Sequence, residues 1–330
     1  MRKLIQAALT PGISGFKEEK VKNVLHKSMA TNFFHRNLPF VVPNFLLPIV
    51  LLMLLLASCS SVPKRPPQVF TIQSMADTLI GQANKEADQG NFNEALLMLN
   101  EAWRLAISTD RPALRIRVNL ARASTLYSLG RTDEAERIWR GAEIEAEFSG
   151  EDLLFSACRI YRARSLLLAG KVDPEETLAL VIEEQNKLKK DKLFYAVSWT
   201  VKGIAEKELG RYADAEKSIM NALSTHTRDN YLEQAAYDWY LIASIRSVAG
   251  DFRGAMDALD RAITFDRRAE NTFGLAMDWA AIGDVYLKMG NARAANISWR
   301  RSAEIFRAMD KETMAKEVES RIVPVESRQR

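Results

Sequence analysis

The chain has 330 residues, of which 47% are hydrophobic and 27% charged, and its formal net charge is +4. Its first 58 residues hold seven Lys and Arg against two Asp and Glu, which leaves 39 basic and 40 acidic residues beyond them. The basic excess therefore belongs to the N-terminal segment, and nucleic acid is not indicated as a partner. Only His226 of the three histidines lies beyond that segment, which argues against histidine-based catalysis and histidine-ligated metal sites. We expect no enzyme activity, no cofactor and no metal.

The N-terminal segment ends in an apolar run from Ile49 to Leu56, and Ala57, Ser58 and Cys59 follow it. A short apolar core followed by small residues is the secretory pattern. The sequence Leu56-Ala57-Ser58-Cys59 resembles a bacterial lipobox. The resemblance implies that residues 1–58 are a leader that is removed and that Cys59 carries lipid. The alternatives are an uncleaved signal anchor and a buried helix.

A leader of 58 residues is long, and Met29 would open one of more ordinary length. We therefore hypothesise that translation starts at Met29. Residues 59–73 are polar and proline-rich, which indicates a semi-rigid tether between the lipid and the rest of the chain. With Cys59 lipidated, Cys158 has no intramolecular partner for a disulfide, and we expect it to be a small core residue.

From residue 74 onward the sequence repeats every forty residues, as six glycines show: Gly90, Gly130, Gly170, Gly210, Gly250 and Gly290. A fixed period in the range of about 20–50 residues is typical of a solenoid, in which each unit buries its apolar face against its neighbours. Alanine recurs in the same phase at Ala95, Ala135, Ala215, Ala255 and Ala295, with Glu175 as the exception. The spacing predicts six structural units.

Each unit is predicted to be a pair of antiparallel helices. The segment before the glycine has helical apolar spacing, as in Phe194, Val197 and Val201. Glycine then ends this first helix, because it adopts the left-handed conformation without steric cost. A second helix follows after a turn of about two residues. In the third unit Asp173 is predicted to cap that helix and Pro174 to begin it.

The pattern resembles the tetratricopeptide repeat (TPR), whose signature combines an early aromatic residue, Leu-Gly, and a Gly-x-aromatic-x-x-Ala turn. The sixth unit matches best, with Trp279, Gly283, Tyr286, Gly290 and Ala295. The resemblance covers about residues 74–309 and implies an all-α, right-handed TPR-like α-solenoid of six helix pairs. HEAT-like and Sel1-like helical repeats are the alternatives. We place the solenoid at residues 74–322.

The resemblance also implies a concave wall made by the first helix of each unit. Family positions carried over to this sequence give eleven candidate binding residues: Asn84, Arg117, Ser124, Tyr127, Arg164, Thr200, Lys207, Tyr237, Tyr240, Ser244 and Asp284. Arginine binds carboxylates through two nitrogens, and tyrosine offers a rigid ring with a polar tip. We expect Arg117 and Arg164 to contact an acidic group of a partner. The alternative is that the arginines between residues 115 and 164 only solvate helix faces.

Three further expectations concern the ends of elements. Residues 311–322 are predicted to form a solvating C-terminal cap helix that begins with Asp310 as its capping residue. Residues 323–330 are expected to be a disordered tail. His226 is expected in the connection after a second helix, exposed to solvent, and the carboxylates are expected on solvated faces.

Together these features predict a lipid-anchored scaffold or assembly factor that binds protein or peptide partners in the cell envelope. The expected location is the periplasmic face of the bacterial outer membrane, because Ser60 after the lipidated cysteine does not signal retention at the inner membrane under the enterobacterial sorting rule. An accessory subunit of a solute transporter and a surface adhesin are the alternative functions.

Overall fold

The computed structural model describes residues 71–324 of the chain. Outside this part lie the predicted leader with Met29, the predicted lipidation site Cys59, the predicted tether up to residue 70 and residues 325–330 of the predicted tail. The described part consists of thirteen α-helices and one short 3₁₀ helix, with no strand among these residues. The helices are α1 (Thr71–Asp88), α2 (Phe92–Thr109), α3 (Pro112–Ser128), α4 (Thr132–Ser149), α5 (Asp152–Leu168), α6 (Pro174–Glu184), α7 (Lys192–Glu208), α8 (Tyr212–Arg228), α9 (Leu232–Val248), α10 (Phe252–Ala269), α11 (Thr272–Lys288), α12 (Ala292–Ala308) and α13 (Glu312–Glu319).

These helices confirm the predicted all-α, TPR-like solenoid of six helix pairs and a cap helix. The odd-numbered helices α1 to α11 are the first, or A, helices of units one to six. The even-numbered helices α2 to α12 are the second, or B, helices, and α13 is the cap. Helix α1 begins at Thr71, inside the segment that was predicted to be tether.

The recurrent glycines end the A helices as predicted. All six have positive φ angles, between 66° and 89°. At the second turn the amide of Gly130 donates to the carbonyl of Tyr127 at 3.0 Å, and the amide of Arg131 donates to Leu126 at 2.9 Å. This pair of hydrogen bonds around a left-handed residue is the Schellman motif, which satisfies the last carbonyls of a helix.

A second series of left-handed residues ends the B helices midway between the glycines. It consists of Asp110, Gly150, Asn230, Glu270 and Asp310, with φ angles of 48°, 71°, 61°, 55° and 58°. The prediction that Asp310 caps α13 was therefore wrong. The residue that precedes α13 is Lys311, whose side chain makes no capping hydrogen bond, and Asp310 belongs to the end of α12.

The third unit departs from the others. Helix α6 begins at Pro174, and the side chain of Asp173 accepts a hydrogen bond from the amide of Glu175 at 2.7 Å, both as predicted. The helix has only eleven residues and is followed by the 3₁₀ helix Lys187–Lys190. Its carboxyl-terminal Glu184 is fully buried and accepts a hydrogen bond from Ser156 on α5.

Small residues allow the helices of a unit to cross closely. The recurrent alanines are fully buried. A Cβ atom on Gly283 would lie 2.4 Å from Cδ1 of Trp299, and one on Gly203 would lie 2.5 Å from Cδ1 of Ile219. In units four and six the buried face of the B helix therefore lies directly on the backbone of its A helix. Cys158 is also fully buried, which confirms it as a core residue.

The A helices form the inner wall of the solenoid. Consecutive A helices pack side by side, α3 with α5, α5 with α7, α7 with α9 and α9 with α11. No two consecutive B helices pack as closely in the described part of the chain. Because the A helices are closer together, the stack curves toward them, and their side chains converge on the concave side.

Candidate functional site

The eleven predicted binding residues all lie on A helices, and none of them is exposed. Six are buried and five are half-buried. The buried residues are Asn84, Ser124, Tyr127, Arg164, Thr200 and Tyr237. The half-buried residues are Arg117, Lys207, Tyr240, Ser244 and Asp284.

The structure brings several of these residues together across units three to five. The guanidinium carbon of the fully buried Arg164 lies 5.5 Å from the centroid of the Tyr237 ring. Tyr237 in turn stacks on Tyr240, with ring centroids 6.3 Å apart and planes within 12°. The hydroxyl of Thr200 donates to the carboxylate of Asp238 at 3.3 Å. Burial raises the pKa of Tyr237, although the nearby Arg164 lowers it. The centre of the concave wall is thus a buried polar layer.

Other predicted residues are held by contacts within the wall. Arg117 forms an ion pair with Asp77 on α1 at 2.9 Å. Asp284 accepts a hydrogen bond from the indole of Trp299 at 3.2 Å and pairs with Arg321 at 3.2 Å. Arg117 thus joins α3 to α1, and Asp284 joins α11 to α12 and to the segment after α13.

The arginines of the middle units do not simply solvate helix faces. Arg115 bonds to Glu145 on α4, Arg159 to the buried Glu184, and Arg162 to Glu136 through two nitrogens. The guanidinium of Arg162 lowers the pKa of Glu136. Each of these arginines therefore ties its A helix to a B helix.

Two pairs of buried polar side chains were not predicted. His226 is 1% exposed, lies within α8, and its Nδ1 is 2.6 Å from the carboxylate of Asp238 on α9. The expectation of a solvated His226 in a connection was therefore wrong. Forty residues later, Asp266 on α10 and Asp278 on α11 occupy the equivalent positions, and both are buried.

The carboxyl groups of these pairs are protonated more readily than ordinary aspartates. Burial raises the pKa of Asp238, and His226 opposes the increase. Burial also raises the pKa of Asp266 to about 7. The pKa of Asp278 is also raised, by burial first and by the charge of Asp266. The two carboxyls hydrogen-bond to each other, which requires a proton on one of them. The expectation that carboxylates lie on solvated faces fails at these positions.

Sequence reasoning missed these pairs although the repeat contained a signal for them. In both, a residue on a B helix meets one that lies twelve positions later on the next A helix. Earlier units have Ala106 with Val118 and Ala146 with Cys158 at the same positions. The third unit already has Asn186 with Ser198 at these positions. The replacement of apolar pairs by polar pairs therefore marks a change in the interior from the third unit onward.

The first and last units also meet. The ammonium of Lys311, next to α13, donates to the carbonyl of Gly90 at 3.1 Å and to the side chain of Asn91 at 3.0 Å. The ring of Phe273 on α11 packs so close to Gly90 that an added Cβ would lie 2.9 Å from it. Burial lowers the pKa of Lys311. The curvature of the solenoid therefore brings the sixth unit and the residue before the cap helix into contact with the turn that follows α1.

Buried polar atoms without a hydrogen-bond partner occur on both A and B helices. On the A helices they include Nδ2 of Asn84, the hydroxyls of Tyr127 and Tyr161, and Oδ2 of Asp278. Leaving such an atom buried and unpaired costs about 1–3 kcal/mol. The four named atoms lie on α1, α3, α5 and α11.

Residues 71–324 contain no group of three or more His, Cys, Asp and Glu side chains arranged to hold a metal ion. Within the same range, no helix combines the length and the apolar character that crossing a membrane requires.

Paired helices, left-handed turns and a concave wall of A helices define the fold as a TPR-like α-solenoid. Solved structures of similar fold include a Rap protein complexed with competence and sporulation factor, with a TM-score of 0.54, 16% identity, and 75% of this chain and 73% of that one covered. BtubC from P. vanneervenii gives a TM-score of 0.48 at 16% identity, covering 79% of this chain and 97% of that one. PilW, a type IV pilus biogenesis factor, gives 0.45 at 16% identity, covering 73% and 98%.

No protein-family model matches the chain, and no curated protein matches it in sequence. At 16% identity, the similarity to the Rap protein supports the fold and not a shared function.

Proposed function

We propose that this chain is a membrane-anchored, TPR-like scaffold or assembly factor of the bacterial cell envelope, and that protein partners bind along its concave wall. The observation that carries the proposal is the set of unpaired polar atoms at Asn84, Tyr127, Tyr161 and Asp278. Buried polar groups are nearly always hydrogen-bonded in native proteins. A partner segment that enters the concave side would supply the missing donors and acceptors. The Rap protein of similar fold, which is complexed with competence and sporulation factor, supports this use of the fold by analogy.

Binding can be tested by affinity purification of the full-length chain in detergent, with wild type compared to a Tyr161→Phe, Tyr127→Phe double variant. The two substitutions remove only hydroxyl groups, so we expect the fold to be kept. Since each lost hydrogen bond contributes about 0.5–1.5 kcal/mol, partner recovery should fall several-fold. Unchanged recovery of all partners by a normally folded double variant would contradict binding at the concave wall.

The anchor forms a separate part of the proposal and depends on the lipobox-like sequence that ends at Cys59. Cells fed labelled palmitate should incorporate the label into the wild-type protein and not into a Cys59→Ser variant. Fractionation should then place the labelled protein with the outer membrane, facing the periplasm. A labelled variant, or an unlabelled wild type, would contradict lipidation without affecting the argument for the concave wall.

A further inference from the structure

A polar cleft spans the concave side between the first and fifth units. It has a volume of about 210 Å³ and lies between the end of α1 and the start of α9. The side chains that line it include Asn84, Lys85 and Asp88 from α1, and Glu233 and Gln234 from α9. Since drug-sized ligands occupy pockets of about 300–1,000 Å³, this cleft has room for one side chain and not for a folded element.

Carboxylates dominate the inner part of the cleft. Asp88 is only 6% exposed, whereas Lys85 is exposed at the rim. Burial raises the pKa of Asp88, the charges of Glu233 and Asp266 raise it further, and Arg164 alone opposes them. The carboxyl groups of Asp88, Glu233 and Asp266 thus lie near a single guanidinium, that of Arg164. A cation placed between Asp88 and Glu233 would relieve this repulsion.

The third acidic residue at the cleft does not contribute free negative charge. Asp229 is neutralised from two sides, because Lys192 and Arg228 each lie 3.4 Å from its carboxylate. The negative charge inside the cleft therefore comes from Asp88 and Glu233, whereas the one lysine of the cleft, Lys85, is exposed at the rim.

An independent observation indicates that the cleft takes a ligand. Asn84 lines it, is 9% exposed, and its Nδ2 has no hydrogen-bond partner. An amide nitrogen is a donor only, so it requires an oxygen acceptor. The cleft thus presents a donor for an oxygen atom and, on the adjacent helix turn, a carboxyl group for a cation.

We propose that this cleft binds a cationic nitrogen group, an alkylammonium or a guanidinium, that is carried next to a carbonyl oxygen. A lysine or arginine residue of a partner peptide has this chemistry, with its side chain between Asp88 and Glu233 and its backbone carbonyl at Asn84. The inference rests on the proposed function, because the cleft is part of the same concave wall. The sequence predicted that Arg117 and Arg164 contact an acidic group of the partner, whereas this cleft favours a basic group. Arg117 is paired with Asp77, and Arg164 lies beside acidic groups.

The test measures binding of fluorescein-labelled peptides to the full-length chain in detergent. Three peptides are identical except for a central Lys, Ala or Glu, and spermidine is titrated separately as a cation without a carbonyl. We expect the Lys peptide to bind best. The double variant Asp88→Asn, Glu233→Gln should weaken it by about tenfold or more, because hydrogen bonds to charged groups are the stronger ones. Asp260→Asn, which removes one exposed carboxylate from the outer side of α10, should leave binding unchanged.

The outcomes separate this inference from the function on which it rests. Equal or tighter binding of the Ala or Glu peptide would overturn the cationic preference and leave peptide binding intact. Binding of spermidine alone, abolished by the double variant, would support the cation site and contradict a peptide partner. No binding of any peptide or of spermidine would overturn both. If the double variant does not fold, Asn84→Asp provides a second test. It adds a carboxylate to the cleft but removes the donor to the backbone carbonyl, so every peptide should bind more weakly while the preference for Lys over Ala increases. An unchanged or reduced preference for Lys would overturn the cation site.

Discussion

Replacing Asp278 by asparagine should change how the stability of this protein depends on pH. In the folded chain Asp278 is 1% exposed and its carboxyl shares a proton with that of Asp266. Its folded pKa lies well above the ordinary 3.8, so between these two pH values the folded state keeps a proton that the unfolded state releases. The stability from this group is complete below the ordinary pKa and is lost as the pH rises toward the folded pKa. Asparagine cannot ionise, and its amide can still donate to Asp266.

The size of the effect follows from proton linkage. One additional proton in the folded state lowers the free energy of unfolding by about 1.4 kcal/mol per pH unit. While the folded Asp278 keeps its proton, the wild type should therefore lose up to about 1.4 kcal/mol per pH unit more than Asp278→Asn. For a chain with roughly 250 folded residues, 1 kcal/mol corresponds to about 2–4 °C in Tm. The Tm of the wild type should therefore fall by up to roughly 3–6 °C per pH unit more than that of the variant.

Thermal unfolding followed by circular dichroism at 222 nm, at pH 5.5, 6.5 and 7.5, measures this difference. The exposed Asp260→Asn is the matched control and should follow the wild type. Parallel loss of Tm in the wild type and in Asp278→Asn would show that Asp278 does not hold a proton in the folded chain, and would refute the reasoning.

Three further predictions concern packing and closure. Gly283→Ala should lower the free energy of unfolding, measured by urea denaturation, by about 1–3 kcal/mol, because the added methyl overpacks against Trp299. Gly290 has no atom within 4 Å of an added Cβ, but its φ is +76°. Gly290→Ala should therefore lower the free energy of unfolding by about 1–2 kcal/mol through backbone strain alone. Lys311→Met should accelerate amide hydrogen exchange at the end of α1 about tenfold and leave exchange in α8 unchanged. Equal exchange rates at the end of α1 in the wild type and the variant would show that the contact between the first and last units does not stabilise α1. Burial raises the pKa of the Cys158 thiol, so iodoacetamide should label it only when the chain unfolds, and labelling of the native protein would contradict its place in the core.

The fold could be predicted because each unit repeats the same physical requirements. Gly130 and its counterparts are needed where a helix ends with a left-handed residue, and Ala135 and its counterparts where two helices cross. Such requirements recur at fixed positions and are visible in one sequence. The B-helix ends were less visible, because Asp110, Asn230 and Glu270 adopt the left-handed conformation without being glycine.

The interior polar residues could not be assigned in the same way. The family positions correctly placed Arg164, Thr200 and Tyr237 on the A helices, but their contacts depend on side chains from other units. His226 appeared solvated because its partner Asp238 lies on the next helix. The cleft forms because α1 and α9 lie close together. Their approach is set by the curvature of the whole solenoid and not by any local sequence pattern.

The central claim, that partners bind on the concave wall, can be tested most directly by photo-crosslinking in cells. Benzoylphenylalanine would replace Tyr240, which is half-buried on the A helix α9, or Phe148, which is 95% exposed on the B helix α4. Both substitutions exchange one aromatic side chain for another. We predict a specific crosslinked partner from position 240 that is reduced by Tyr161→Phe, Tyr127→Phe in the same chain, and none from position 148. A partner captured from position 148 and none from position 240 would contradict the account.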